Sequence, residues 1–187
     1  MTKPVSKKTF LAVIGGGYVL AIVLMILGFI AMIGGAAAAQ NQGQDSATAG
    51  AAVAGGMGMF MLAMVCMWVP AVAFFVLIYK AWSAIQDGHV RTTAGQAVGF
   101  LLIPFFNIYW IFQAIWGWAQ DYNGYKQRHN LGGEAVSEGL FLAYIISCIV
   151  FPPVALVLMF VVVAKMCDAI NTIAGTAPRA MATAAAR

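Results

Sequence analysis

The sequence predicts an all-α polytopic membrane protein: a four-transmembrane-helix bundle whose third and fourth helices are kinked by proline. Three observations predict it. Hydrophobic residues make up 63% of the 187 positions and charged residues only 9%, whereas a soluble domain carries about 25% charged residues. The mean hydropathy is +0.88. The few charges leave four uncharged runs, 9–44, 46–79, 92–120 and 139–164, each longer than the roughly 20 residues that cross a hydrocarbon core of about 30 Å. Spans are expected over 10–35, 58–79, 97–119 and 140–164. Together they form one membrane domain, 10–175, between a cytoplasmic basic head (1–9) and a flexible tail (176–187).

The head carries Lys3, Lys7 and Lys8. The small residues of 34–39 imitate a signal-peptide cleavage site, but the apolar run before them is about 25 residues, against the 7–15 of a secretory h-region. A retained first helix is expected. Gly17 with Ala21, and Ala31 with Gly35, place small residues four apart, the spacing that lets two membrane helices approach closely. Residues 36–56 are Ala/Gly/Gln/Ser-rich with Asp45 as their only charge. Such a stretch reads as a mobile external loop, and its lack of Lys and Arg suits the translocated side.

Met57, Met59, Met61, Met64 and Met67 open the second span. Copper sites need several thioethers converging on one point, and these spread around a helix, so they read as packing residues. Pro70 is expected to kink this helix. Lys80 and Trp82 mark its exit at an interface.

The third run departs from plain Leu/Ile/Val. Pro104 breaks its centre, and Asn107 and Gln113 bring amides into the hydrocarbon zone, where an unpaired amide is costly. Asn107 is therefore expected to bond inward to a neighbouring helix; the alternative is a discontinuous helix whose freed backbone lines a polar pathway. Trp110, Trp116, Trp118 and Tyr122 read as interface anchors, together with Trp82. The segment 120–138 carries Asp121, His129, Glu134 and Glu138 without a metal-binding or catalytic spacing. In the last span Pro152 and Pro153 impose a bend, and Lys165 and Asp168 are spaced to pair. Cys66, Cys148 and Cys167 are dispersed apolar filler. Ser147 and Cys148 have no His or Asp at membrane depth to activate them.

Four spans place 8 of the 10 Lys and Arg on the side of the termini and leave Lys126 and Arg128 opposite. The positive-inside rule then makes both termini cytoplasmic. A re-entrant 97–119 run changes the split to 7 against 3. No catalytic residue, cofactor or metal ligand is expected. The partners implied are the lipid bilayer and either further copies of the chain or a larger membrane complex, with no nucleic acid. The expected function is that of a non-enzymatic structural or accessory subunit of a membrane assembly. The alternative is a small transporter or channel with a polar pathway near Pro104 and Asn107.

The segments KAWSAIQDGHVRTTAGQAVGFLLIPFFNIYWIF and KMCDAINTI, beginning at Lys80 and Lys165, resemble those of an uncharacterised family of planctomycete-like bacterial multi-span inner-membrane proteins with an AVGFLxIPFFNxYW core. The resemblance covers roughly 58–175. It implies a bacterial inner-membrane location and a role of the core residues in fold integrity, and it brings no activity. Gly95 and Gln96 stand where those sequences often carry proline.

Overall fold

The computed structural model describes residues 3–40 and 46–185. Every regular element among the described residues is helical. Three helices, Lys7–Ala38, Ala47–Ala84 and Pro152–Thr176, are long and apolar enough to cross a membrane. The chain is a helical membrane protein. It divides into two compact units, Ala12–Ala73 on the one hand and Met1–Leu11 with Phe74–Arg187 on the other.

A four-residue helix, α1 (Lys7–Phe10), and a π-helical turn, Leu11–Gly16, precede the pair that makes the first unit, α2 (Gly17–Gln40) and α3 (Ser46–Cys66). These two are antiparallel, and glycine sets their distance. A Cβ on Gly28 would lie 2.9 Å from the Gly56 carbonyl oxygen and 3.0 Å from the Phe60 nitrogen; one on Gly56 would lie 2.8 Å from the Gly28 oxygen. Gly35 meets Ala52 and Val53, and Gly17 meets the Pro70 ring. Backbone touches backbone here, which only small residues permit. Of the small pairs expected from spacing, Gly17 and Gly35 sit on this seam.

The 36–56 stretch is not the loop its composition suggested. Residues 36–40 belong to α2 and 46–56 to α3; only 41–45, with Asp45, lie outside the described residues. Alanine has the highest helix propensity, and α3 also buries Ala49 and Gly56. The methionines correct a second expectation. Met57, Met61 and Met64 are at least half exposed and face outward, as lipid-facing side chains do.

After a turn at Met67 the chain continues as α4 (Trp68–Ala84). Proline at position 70 has no N–H to offer, and the next amide, Ala71, reaches the Met67 carbonyl only at 3.4 Å.

The second unit holds the main departure from four spans. The run 97–119 is not one kinked helix. It comprises α5 (Ala94–Gly99), a 3-10 turn (Phe100–Leu102), a break at 103–105, α6 (Phe106–Ile111), a π-helical segment (Phe112–Trp116) and α7 (Gly117–Arg128). The chain reverses at the break, because the Trp110 indole donates to the Ala97 carbonyl at 3.2 Å and Arg91 binds Asp121 at 2.8 Å. Phe105 turns the corner at φ 63°, a left-handed value that a bulky side chain adopts only under strain.

The last run reverses as well. α8 (Glu138–Val150) ends at Phe151, and α9 (Pro152–Ala185) begins immediately. Asn123 binds the start of α8 at Val136 and Glu138, and the adjacent Tyr122 lies beside the Thr172 side chain of α9. The return limb of α9 therefore comes back to the level where α8 began. Pro152 and Pro153 occupy the first turn of α9 instead of bending the middle of one helix, and α9 carries the 176–185 tail as helix. Trp118 packs on Phe141, and Asn123 holds Val136, so both hairpins point the same way. Their polar bases lie together, and their apolar tips lie at the other end of the unit.

Replacing Gly28 by Leu is expected to destabilise α2–α3 packing by about 1–3 kcal/mol, the usual cost of overpacking. Gly58→Ala, where a Cβ meets nothing within 4 Å, is expected to stabilise by roughly 0.5–1 kcal/mol through helix propensity. Denaturation in mild detergent, followed by far-UV circular dichroism, measures both.

Candidate functional site

The polar side chains of the second unit collect at the hairpin bases, and they act in pairs that join segments distant in sequence. Arg91 is the most engaged. Its backbone N–H and Nε donate to Asp121 Oδ2 and Oδ1, each at 2.9 Å, and its guanidinium also reaches Gln120 at 2.9 Å and Gln113 at 3.4 Å. It lies across the start of α7, where a Cβ on Gly117 would meet its Nη1 at 3.1 Å. The planar fork suits this role, since it holds several acceptors in fixed directions. The adjoining connector is closed by Thr93 and Gln96, which form a capping box at the α5 N-terminus.

Asp87 ties the α4–α5 connector to the end of α7. Arg128 and His129 approach it at 2.9 and 3.2 Å, and the His89 backbone N–H donates to it at 3.0 Å. Burial alone would raise its carboxyl pKa. The bonds from the His89 backbone, Arg128 and His129 outweigh that effect and lower it from 3.8 to about 2.

Two asparagines grip backbone at both of its polar groups. Asn123 donates to the Val136 carbonyl and accepts from the Val136 N–H, both at 2.9 Å. Asn171 does the same to Val5, at 3.0 and 2.7 Å. Lys7 pairs with Asp168 at 2.7 Å. Asp168 was expected to pair with Lys165, three residues back on the same helix; the Lys7 amine brought in by α1 takes it instead. Beside these ties lies an open surface depression of about 420 Å³, lined by Asn123, Lys126, Gln127, Asn130, Leu131 and Ala135.

The sequence-expected residues divide between this base and the tips. Gln113 is engaged, accepting from Arg91 and donating to the Tyr109 hydroxyl at 3.1 Å. Pro104 and Asn107 sit at the first tip, exposed. The Asn107 side chain has no partner among the described residues, so the inward bond expected of it is not made. Pro152 and Pro153 are at the second tip. No group of three or more His, Cys, Asp or Glu positioned to hold a metal occurs among the described residues.

The aromatic anchors are corrected most. Trp82 and Trp118 are completely buried and Tyr122 is 2% exposed; Trp110 and Trp116 are half-buried. The Trp82, Trp118 and Tyr122 rings are core and not an interfacial belt. Trp118 stacks on Tyr122 with centroids 5.3 Å apart, and Trp110 stacks on Phe106 at 5.6 Å. The Trp82 indole donates to the Ala114 carbonyl, within the π-helical segment, at 2.9 Å. The Trp118 indole nitrogen is buried and makes no hydrogen bond among the described residues. A residue type that serves both interface and core carries no sequence signal for which it does. The Asn123 and Asn171 grips went unread because they depend on backbone far along the chain.

The chain matches no protein-family model, no curated protein and no solved structure.

The two buried indoles are expected to respond differently to the same change. Both Trp→Phe changes leave a small cavity, but only Trp82→Phe also strands the Ala114 carbonyl whereas Trp118→Phe removes an unpaired donor, so Trp82→Phe should cost about 1–3 kcal/mol more than Trp118→Phe. Unfolding midpoints in one detergent compare them. A lowered carboxyl pKa in the folded state stabilises it above the unfolded value of 3.8, and that contribution is lost as pH falls through about 2. Asp87→Asn should therefore lower the melting temperature at neutral pH and leave it nearly unchanged at pH 2, in a detergent thermal-shift series.

Proposed function

We propose that the chain is a non-enzymatic structural subunit of a membrane assembly, seated in the inner membrane of a bacterial cell with both termini in the cytoplasm. The observation that carries this reading is the use made of the carboxylates at the hairpin bases. Asp87, Asp121, Glu138 and Asp168 each join two separate segments, an arrangement that supports a rigid scaffold. Each unit also exposes extensive apolar surface, including Leu20, Ile30, Val65 and Trp68 in the first and Val157 in the second, which supports contact with lipid and with neighbouring subunits.

The orientation follows from the two reversals. With both hairpins returning, Lys126 and Arg128 join Lys3, Lys7, Lys8, Lys80, Arg91, Lys165, Arg179 and Arg187. All ten basic residues of the chain then flank one side, and the α2–α3 unit carries none. That asymmetry supports a cytoplasmic base more strongly than the 8-to-2 split of four spans. The transporter reading rests on the broken backbone at 103–105 and the free Asn107 amide.

The chain extracted in mild detergent is expected to migrate as a complex well above its 19.8 kDa monomer after correction for bound detergent, with stoichiometric partners or copies of itself seen by mass spectrometry. Recovery as a lone monomer in nanodiscs overturns the subunit reading. Solute flux through reconstituted vesicles that Asn107→Leu abolishes replaces it with the transporter.

A further inference from the structure

Both hairpin tips are apolar, exposed and short of the far side of a bilayer. The first descends through about ten residues, 94–103, and the second through the 13 residues of α8. At 1.5 Å per residue these reach roughly 15 and 20 Å, against a hydrocarbon core of about 30 Å. Phe105 is 87% exposed, Leu102 65%, Val150 73% and Phe151 57%. No charged residue occurs in 92–120 or 139–164.

The backbone of each tip decides what surrounds it. Irregular backbone in hydrocarbon is ordinarily prohibitive, because unpaired N–H and C=O groups cost several kcal/mol each. Here the reversals largely close on themselves. At the first, Ile103 N–H donates to Phe100, Phe106 to Pro104 and Asn107 to Ile103, while Pro104 has no N–H. At the second, Phe151 N–H donates to Ser147, Val154 and Ala155 donate to Phe151, and Pro152 and Pro153 remove two donors that a helix start otherwise leaves unpaired.

We propose that the two hairpins are half-membrane wedges, immersed in the acyl chains of the leaflet next to their polar base and stopping near the bilayer midplane with Phe105 and Phe151 foremost. The occupant around the tips is lipid hydrocarbon. Four helical arms, each about 10 Å across, add roughly 300 Å² to that one leaflet and nothing to the other. The exposed Phe105 ring at the corner of the first tip fits this placement. Asn107 opposes it, because its carboxamide has no partner among the described residues.

The test uses the full chain, with Cys66, Cys148 and Cys167 replaced by Ala, in phosphatidylcholine–phosphatidylglycerol vesicles. Single cysteines from Phe105→Cys and Phe151→Cys, with Ile108→Cys and Val150→Cys as neighbours should a tip variant not fold, carry an environment-sensitive fluorophore. Nitroxide lipids labelled near the chain end should quench all of them several-fold more than headgroup-labelled lipids. Aqueous quenchers on either face should have no effect. A fluorophore from Gly132→Cys should be reached from the same face as one from Lys3→Cys. Adding Asn107→Leu should deepen the quenching at position 105. Access of an aqueous quencher to position 105 from the face opposite Lys3 overturns the proposal in favour of a crossing. Protection from both lipid and water overturns it in favour of a protein-covered tip.

Discussion

On the placement proposed for the two hairpins, the chain turns back inside a membrane and must pair its backbone where water cannot help, and the tips of the second unit suit that demand. An uninterrupted helix meets it along its length and fails only at its ends. Here two ends fall at the hairpin tips. Proline stands at both, at Pro104 and at Pro152–Pro153, where the absent N–H removes the group that would go unpaired. The N–H groups of Ile103, Asn107, Phe151, Val154 and Ala155 close onto carbonyls three or four residues back, and that of Phe106 onto one two back. The prolines thus make a reversal tolerable instead of merely bending a span.

A reversal near the tip is stable only if the arms are held together at the base, and there the unit uses charge. Arg91 and Asp121 close the first hairpin, Asn123 joins it to the second, and Asp87 fastens the connector from α4. These pairs are partly exposed, and a solvated ion pair alone contributes at most about 1 kcal/mol. Their effect comes from combination. Arg91 binds through backbone and side chain together, and each asparagine grip satisfies a donor and an acceptor on one residue. Between base and tip, the buried indoles of Trp82 and Trp118 fill the space the arms enclose.

The membrane character, the all-helical class and the small-residue seam at Gly17 and Gly35 were legible in the sequence, because each depends on composition or on spacing within one helix. The reversals were not. A run such as 97–119 has the same hydropathy whether it crosses or returns. What separates the two outcomes is the backbone at Phe105 and pairings such as Trp110 with Ala97, thirteen residues apart. The aromatic residues misled for a related reason. Trp82, Trp118 and Tyr122 have the positions of an interfacial belt only if each helix is read alone, and they become core once the hairpins fold over them. Gln113 was rightly marked as needing partners, but its partners, Arg91 and Tyr109, include a charge expected in a distant loop.

The reversals and the charge distribution then account for each other. A chain whose apolar runs alternate between full crossings must deliver some loops to each face, and Lys126 and Arg128 would be carried across with the 120–138 segment. A chain in which every descent after α4 returns delivers none. The longest stretch without Lys or Arg is 9–79, which contains the whole α2–α3 unit; the runs 92–125 and 129–164 lack them too. Translocating Lys or Arg is unfavourable, so returning hairpins leave a sequence free to place cations between them, and on the proposed placement Lys126 and Arg128 are such cations.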